Sequence, residues 1–253
     1  MISKNQIKYI HQFEQKKFRR REGLFLAEGS KVVGDLLELH KPNILFATAE
    51  WLNTHTSTLT SVSCEIIEVS EEELRKLSLQ QHPQQVLGLF PIPSAQKEFV
   101  LDPSSLALAL DGIQDPGNLG TIIRIADWFG IQDIYCSEDT VDAWNPKVIQ
   151  ATMGSIARVN IAYTSLTSLL DTMPEDFPVY GTLLDGENIY TQELSEGGLI
   201  IMGNEGNGIS EAIKSRVTRR LLIPDFRHGD TADSLNVAVA TAITCSEFRR
   251  RSV

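Results

Sequence analysis

Three short stretches hold most of the residues that could do chemistry. The first is DPGNLGTIIRIAD (115–127), where a turn-rich opening leads into an amphipathic helix with one arginine, Arg124. Asn118 is the expected N-cap, and the i, i+4 spacing sets Gly120 and Arg124 on one face. With no side chain at 120, a bulky ligand can approach the helix and meet a planar guanidinium, whose donors suit a phosphate or a sugar hydroxyl. The second stretch, GNEGNG (203–208), sets Glu205 inside a glycine loop. It lacks the Lys-Ser/Thr of a phosphate loop and the G-x-G-x-x-G order of a dinucleotide fold, so its glycines imply a tight path beside some other ligand. In the third, SLNVAVA (234–240), Ser234 is the expected cap of a last helix, with Asn236 pointing sideways from its first turn. Each stretch alone reads equally well as a surface turn. What sets them apart is their position after apolar runs.

For the three to meet, the elements around them must deliver them to one edge. Strands are expected at 106–112, 133–137, 179–184, 197–206 and 219–225, with helices at 119–129, 145–156 and 234–251. Such alternation implies a largely parallel sheet covered on both faces, with ligands outside the C-terminal strand ends. The first part of the chain reads as a smaller α/β domain. A helix over 4–21, capped by Ser3, anchored by Ile7, Ile10 and Phe18 and stopped by Gly23, precedes strands at 24–29, 44–48, 65–69 and 85–90. Helices are expected at 30–40 and at 70–78, the latter with an S-x-x-E capping box. Residues 91–105 mix proline, serine and charge, which divides the chain into a domain at 1–97, a linker at 98–105 and a second domain at 106–253.

The chain has 253 residues, 42% of them apolar, and a net charge of −10, the balance of an ordinary globular protein. An acidic chain argues against a polyanionic partner in general, but residues 1–21 carry seven basic residues and only Glu14 as an acid. Lys16, Lys17, Arg19, Arg20 and Arg21 therefore form a local basic patch compatible with binding a polyanion. No run approaches the roughly 20 apolar residues of a membrane span, and the N-terminus lacks a secretory core. Cys64, Cys136 and Cys245 are far apart, with no CxxC pair, which favours neither a disulfide framework nor a zinc site and implies a reducing cytoplasm.

Taken together and in this order, the three stretches resemble the SpoU family of RNA ribose 2′-O-methyltransferases, within the SPOUT superfamily. N-x-G-x-x-x-R (Asn118, Gly120, Arg124), GNEGNGIS, and IP followed by SLNVAVA carry the likeness, which VDAWNPKVIQATMGS extends. KKFRRREGLFLAEGSKVV is similar to the ribosomal-protein-like, RNA-recognising domain that precedes the catalytic domain in rRNA-directed members. The resemblance implies a C-terminal α/β-knot domain with a mainly parallel sheet and a trefoil knot, a homodimer through that domain, and S-adenosylmethionine as methyl donor. It implies that Thr182, Leu183, Gly203, Ile223 and Leu235 bind the cofactor. Asn118, Arg124, Glu205, Ser234 and Asn236 are implied to surround the reacting ribose, with Asn118 orienting Arg124. The implied substrate is structured RNA, rRNA ahead of tRNA. The chain departs from the family pattern I-P-M-x-G-x-x-E before S-L-N: its span is three residues longer, with Asp225 in place of Met and Asp233 in place of Glu. Asp225, His228, Asp230 and Asp233 form a metal-like set there, but such loops are usually solvated and no metal is expected. The same fold binding RNA without turnover is the alternative; the five retained site residues speak for transfer.

Overall fold

The computed structural model describes residues 1–60, 62–93, 102, 104–227 and 234–250. Contacts divide the chain into two units, Met1–Ser94 with Asp142–Arg158, and Ala95–Val141 with Val159–Val253. Segment 142–158 thus groups with the first unit although chain order put it in the second domain. The linker at 98–105 lies largely outside the described residues.

The first unit begins with α1 (Lys4–His11), capped by a Ser3–Gln6 capping box, then a 3₁₀ turn at Gln12–Glu14, then α2 (Lys16–Glu22), stopped by Gly23 at φ 64°. The single helix expected over 4–21 is therefore broken at Gln15. The reason is steric: on one continuous helix Phe13 and Phe18 would point about 140° apart. The break lets both pack edge-on against Tyr9, with centroids 5.3 and 5.5 Å away. Then follow β1 (Leu24–Glu28), α3 (Ser30–Leu39), β2 (Ile44–Ala47), α4 (Ala49–Thr54), α5 (Thr56–Leu59), β3 (Glu65–Glu68), α6 (Glu71–Leu77) and β4 (Val86–Pro91). The sheet order is β1-β4-β2-β3; β4 runs antiparallel to β1 and β2, while β2 and β3 are parallel.

The second unit holds β5 (Leu106–Asp111), α7 (Pro116–Trp128) and β6 (Asp133–Cys136). The chain then passes through α8 (Pro146–Ala151) and a 3₁₀ turn at Ser155–Ala157, both in the first unit's segment. It returns with β7 (Asn160–Tyr163), α9 (Leu166–Asp171), β8 (Val179–Asn188), β9 (Gly198–Gly203), α10 (Glu211–Lys214), β10 (Arg219–Leu222) and α11 (Val237–Arg250). All neighbours in the six-stranded sheet β10-β8-β9-β5-β6-β7 are parallel. The central strands β5 and β9 are buried along nearly their whole length, so LALAL and GLIIM read as unbroken apolar runs. Strand order reverses between β5 and β9, which pair through Asp111 and Gly203 at their C-terminal ends. That reversal opens the crevice in which parallel sheets take ligands. Among the described residues no helix is long and apolar enough to cross a membrane.

Candidate active site

The loop after β5 turns sharply at Gly112, φ 73°, and starts α7 with Asp115 as N-cap, its carboxylate accepting the Asn118 amide at 2.8 Å. Asn118 is therefore not the cap, contrary to the sequence expectation. An Asp-Pro pair claims that role, because Pro116 suits the first helical position and Asp115 supplies the acceptor. Gly120 is buried within the unit while Arg124 is exposed, so protein rather than ligand fills the space at 120.

The loop after β9 folds back on itself. Asn204 and Gly208 exchange backbone hydrogen bonds of 2.9 Å, and the Asn204 side chain accepts from the Gly206 and Asn207 amides. A Cβ at Gly203 would lie 2.3 Å from the Gly208 carbonyl carbon, so only glycine permits this return. Asn204 Nδ2 also donates to Gly112 O at 2.6 Å, binding the two strand-end loops together.

The last helix is capped by Asn236, not by the expected Ser234. Its Oδ1 accepts the Ala238 and Val239 amides at 3.0 and 3.3 Å, and its carbonyl accepts the Ala240 amide. This capping fixes which way the amide faces. With Oδ1 turned to the helix, Asn236 Nδ2 donates to Asn118 Oδ1 at 2.9 Å. Asn118 must then present its own Nδ2 outward, and it donates to Glu205 Oε1 at 2.9 Å. Glu205 further accepts the Gln114 and Asp115 amides at 3.4 and 3.5 Å. An unpaired helix terminus thus orders two amides and a carboxylate in series, and the series ties all three loops together. Those two backbone amides on Glu205 could not be found from side-chain patterns; the only sequence signal was the turn-forming Asp-Pro.

Beside this relay lies a cavity of about 350 Å³. Its lining includes Thr182, Leu183, Gly203, Ile223 and Leu235, together with Glu205 and Ser234. Thr182 and Leu183 reach it because β8 makes an excursion: Gly181 pairs with Arg220, yet the next pair is Glu187 with Leu221. Gly186 closes that excursion where a Cβ would sit 2.5 Å from the Leu221 backbone. Glu205 is the one ionisable side chain lining the cavity among the described residues.

Arg124 is not among the described lining residues. It stands exposed on α7, without a hydrogen bond or ion pair among the described residues. Asn118 does not orient it, since the Asn118 amide is engaged by Glu205 and Asn236, six residues and roughly 9 Å of rise away from Arg124. Of the five basic residues expected to meet RNA, Lys16, Lys17, Arg20 and Arg21 are exposed. Arg19 is not: it is 1% exposed, donating to the carbonyls of Phe13 and Glu14 at 2.7 and 2.9 Å and ion-paired with Asp142. A guanidinium so engaged cannot also hold a phosphate. Arg21 lies over the Phe18 ring at 4.5 Å and pairs with Glu22. In the lengthened loop, Asp225 accepts the Arg227 amide at 2.8 Å; His228, Asp230 and Asp233 lie outside the described residues.

Comparison with known proteins adds to this geometry. Residues 105–246 match the SpoU rRNA Methylase family, and residues 4–88 match the MRM3-like substrate binding domain. The 23S rRNA (guanosine(2553)-2′-O)-methyltransferase RlmP of Bacillus subtilis is 32% identical, over 98% of this chain and 97% of its own. A putative RNA methyltransferase of the TrmH family from Porphyromonas gingivalis superimposes with a TM-score of 0.86 at 40% identity, over 99% of both chains. An AdoMet-bound rRNA methyltransferase from Sinorhizobium meliloti gives 0.88 at 30% identity, over 100% of this chain and 97% of that one. The matched span 105–246 contains all three converging loops and takes in more than half of the sequence, so the chain belongs to the SpoU rRNA methylase family.

Proposed function

We propose that this chain transfers a methyl group from S-adenosylmethionine to a ribose 2′-hydroxyl of rRNA. The observation that carries the reading is the Asn236–Asn118–Glu205 relay, which ties three strand-end loops together beside a cavity that two of them, the 203–208 loop and the segment before α11, line. The cavity suits the cofactor: about 350 Å³ falls in the small-ligand range. Leu183, Ile223 and Leu235 offer apolar walls to a purine, and Glu205 offers a negative charge to a sulfonium. Bound there, the cofactor supplies a methyl carbon bearing a good leaving group, so that positioning provides much of the acceleration.

The chain's residues then have separate tasks. Asn236 keeps a second amide N–H beyond the one given to Asn118, and with Ser234 it holds the ribose. Arg124, outside the cavity lining, grips the phosphate of the same nucleotide and stabilises charge growing on the attacking oxygen. The 2′-hydroxyl proton leaves as the oxygen–carbon bond forms, and passes to an oxygen of the phosphate that Arg124 grips; Arg124 itself takes it only if its guanidinium has first given up a proton, which it does reluctantly. The exposed cations Lys16, Lys17, Arg20 and Arg21 guide the RNA backbone.

The working form is a cytoplasmic homodimer in this reading. Trp128 of α7 is 85% exposed and Val239 of α11 49% exposed, apolar side chains that a second copy would cover, and Cys64, Cys136 and Cys245 are all free thiols. The trefoil path of the C-terminal segment belongs to the same proposal.

The test is to incubate the protein with labelled S-adenosylmethionine and rRNA, then map sites that resist alkaline cleavage. A methylated 2′ oxygen cannot attack the neighbouring phosphate, so label and resistance should coincide. Label without resistance, or RNA retained without label, overturns the reading.

A further inference from the structure

The ion pair between the buried Arg19 and the half-buried Asp142 belongs to the first unit, yet it sits one peptide bond from the second, in which Val141 is the last residue before the chain crosses. Val141 is itself part of a brace. The turn after β6 is hydrogen-bonded along the end of β5 and the loop that follows it: Ser137 N donates to Leu110 O at 2.9 Å, and Gly112 N to Ser137 Oγ at 2.8 Å. Thr140 Oγ1 donates to Leu110 O at 3.1 Å, Gln114 Nε2 to Asp139 O at 2.7 Å, and Val141 N to Ile113 O at 2.8 Å. Val141 O in turn accepts from the Tyr163 hydroxyl. The two amides that follow Ile113 are those of Gln114 and Asp115, which meet Glu205.

On the other side of the peptide bond, Asp142 is held firmly. Arg19 Nε donates to Asp142 Oδ2 at 3.1 Å, and Nη2 reaches the same oxygen, while Nη1 is anchored on the carbonyls of Phe13 and Glu14. Trp144, two residues on, packs on Phe25 of β1 with centroids 4.9 Å apart. The side chain of Arg19 is 2% exposed, so the ion pair is little screened by solvent.

We propose that Arg19 and Asp142 are positioning residues for the transfer: by fixing the end of the turn after β6, they set the β5–α7 loop whose amides and Asn118 hold Glu205. This rests on the proposed function only for its catalytic consequence. The route from Arg19 to Glu205 is a contiguous series of hydrogen bonds and two peptide bonds, Val141–Asp142 and Ile113–Gln114, and a coupling of this kind acts through the loop without touching cofactor or ribose. It also assigns a use to the one cation of α2 that is turned away from solvent.

The test uses the full chain with Asp142→Asn, which keeps the shape and removes the charge, and with Arg19→Lys as a milder variant should the first fold poorly. Amide exchange at Gln114 and Asp115 should rise about tenfold, while the β9 amides of Leu199 to Met202 keep their protection. In steady-state methylation, kcat should fall about tenfold with the KM for RNA and the cofactor affinity changed less than about twofold. Asp142→Glu should restore most of both. Unchanged exchange at Gln114 and Asp115 in a folded variant would overturn the inference, as would a rise in KM at constant kcat. If the wild type shows no methylation, the functional reading fails while the exchange result still decides the coupling.

Discussion

Arg19 on α2 and Arg124 on α7 both stand in stretches that attract attention by type and spacing, and the structure treats them oppositely. Arg19 has its donors spent on two carbonyls and a carboxylate, out of water. Arg124 is exposed, with no partner among the described residues, on the helix whose first turn carries the amide relay. A guanidinium is costly to bury and useful only when matched. Where protein matches it, it builds the fold; where nothing does, it is available to a ligand. The comparison separates a basic cluster into one structural member and an exposed remainder, which charge counting alone could not do.

Substitutions at the two arginines and their neighbours put that contrast to the test. Arg124→Ala should lower kcat for methylation by about 100- to 1,000-fold, the usual cost of one oxyanion-stabilising donor, with the melting temperature unchanged. Single-turnover rates alongside thermal melts would check it; a matching loss of stability would put Arg124 in Arg19's class. Arg19→Ala should instead destabilise the first unit by about 3–5 kcal/mol, because it leaves the largely enclosed Asp142 carboxylate without its ion-pair partner and the Phe13 and Glu14 carbonyls without their donor. Denaturant melts measure this, and a change below about 1 kcal/mol, as for a surface pair, would refute the burial argument.

Neutralising the exposed neighbours with Lys17→Gln and Arg20→Gln should leave stability alone and flatten the salt dependence of RNA binding. The slope of log K against log salt should drop by roughly 1.5 for two lost phosphate contacts. An unchanged slope would return α2 to the status of a solvated face.

The smallest effect concerns Glu28, a buried carboxylate in the same unit that is met by Ser78 and by the Leu79 amide at 3.1 Å rather than by a guanidinium. Burial pushes its carboxyl above the ordinary carboxylate range, against the lowering effect of those hydrogen bonds. Between the ordinary and the raised value, the folded chain holds a proton that the unfolded chain has released. Stability should therefore fall as pH rises through that window. Glu28→Gln should remove that fall, as seen by melts from the acid side of the window to neutrality. A wild-type stability that rises through the same interval because of Glu28 would reverse the sign.

Much of this architecture was readable from the sequence, for identifiable reasons. LALALD and GLIIMG are buried on both faces, so their apolar runs announce central parallel strands, and Ser70 with Glu73 forms the capping box that the S-x-x-E spacing implies. Shorter elements gave no such signal. α4, α5, α9 and α10 have six residues or fewer, too few for a helical period to show, and β7 is a four-residue edge strand. The residues later found at the site were also legible, but not their roles. Asn118 and Ser234 each lost a capping role to a neighbour, Asp115 and Asn236, because several short polar residues compete at each helix start and local geometry selects one. Nor could spacing show that α2 turns one arginine inward, since that depends on Asp142, more than a hundred positions away.

The cavity lined by the β8 excursion, the 203–208 loop and Leu235 is proposed to hold the methyl donor, and calorimetric titration of S-adenosylmethionine decides whether it does. The wild-type chain should bind at one saturable site per chain. Leu235→Glu should abolish that binding without altering the melting temperature, because Leu235 lines the cavity yet is 50% exposed. Absence of binding to the wild type, or undiminished binding to Leu235→Glu, would contradict the account.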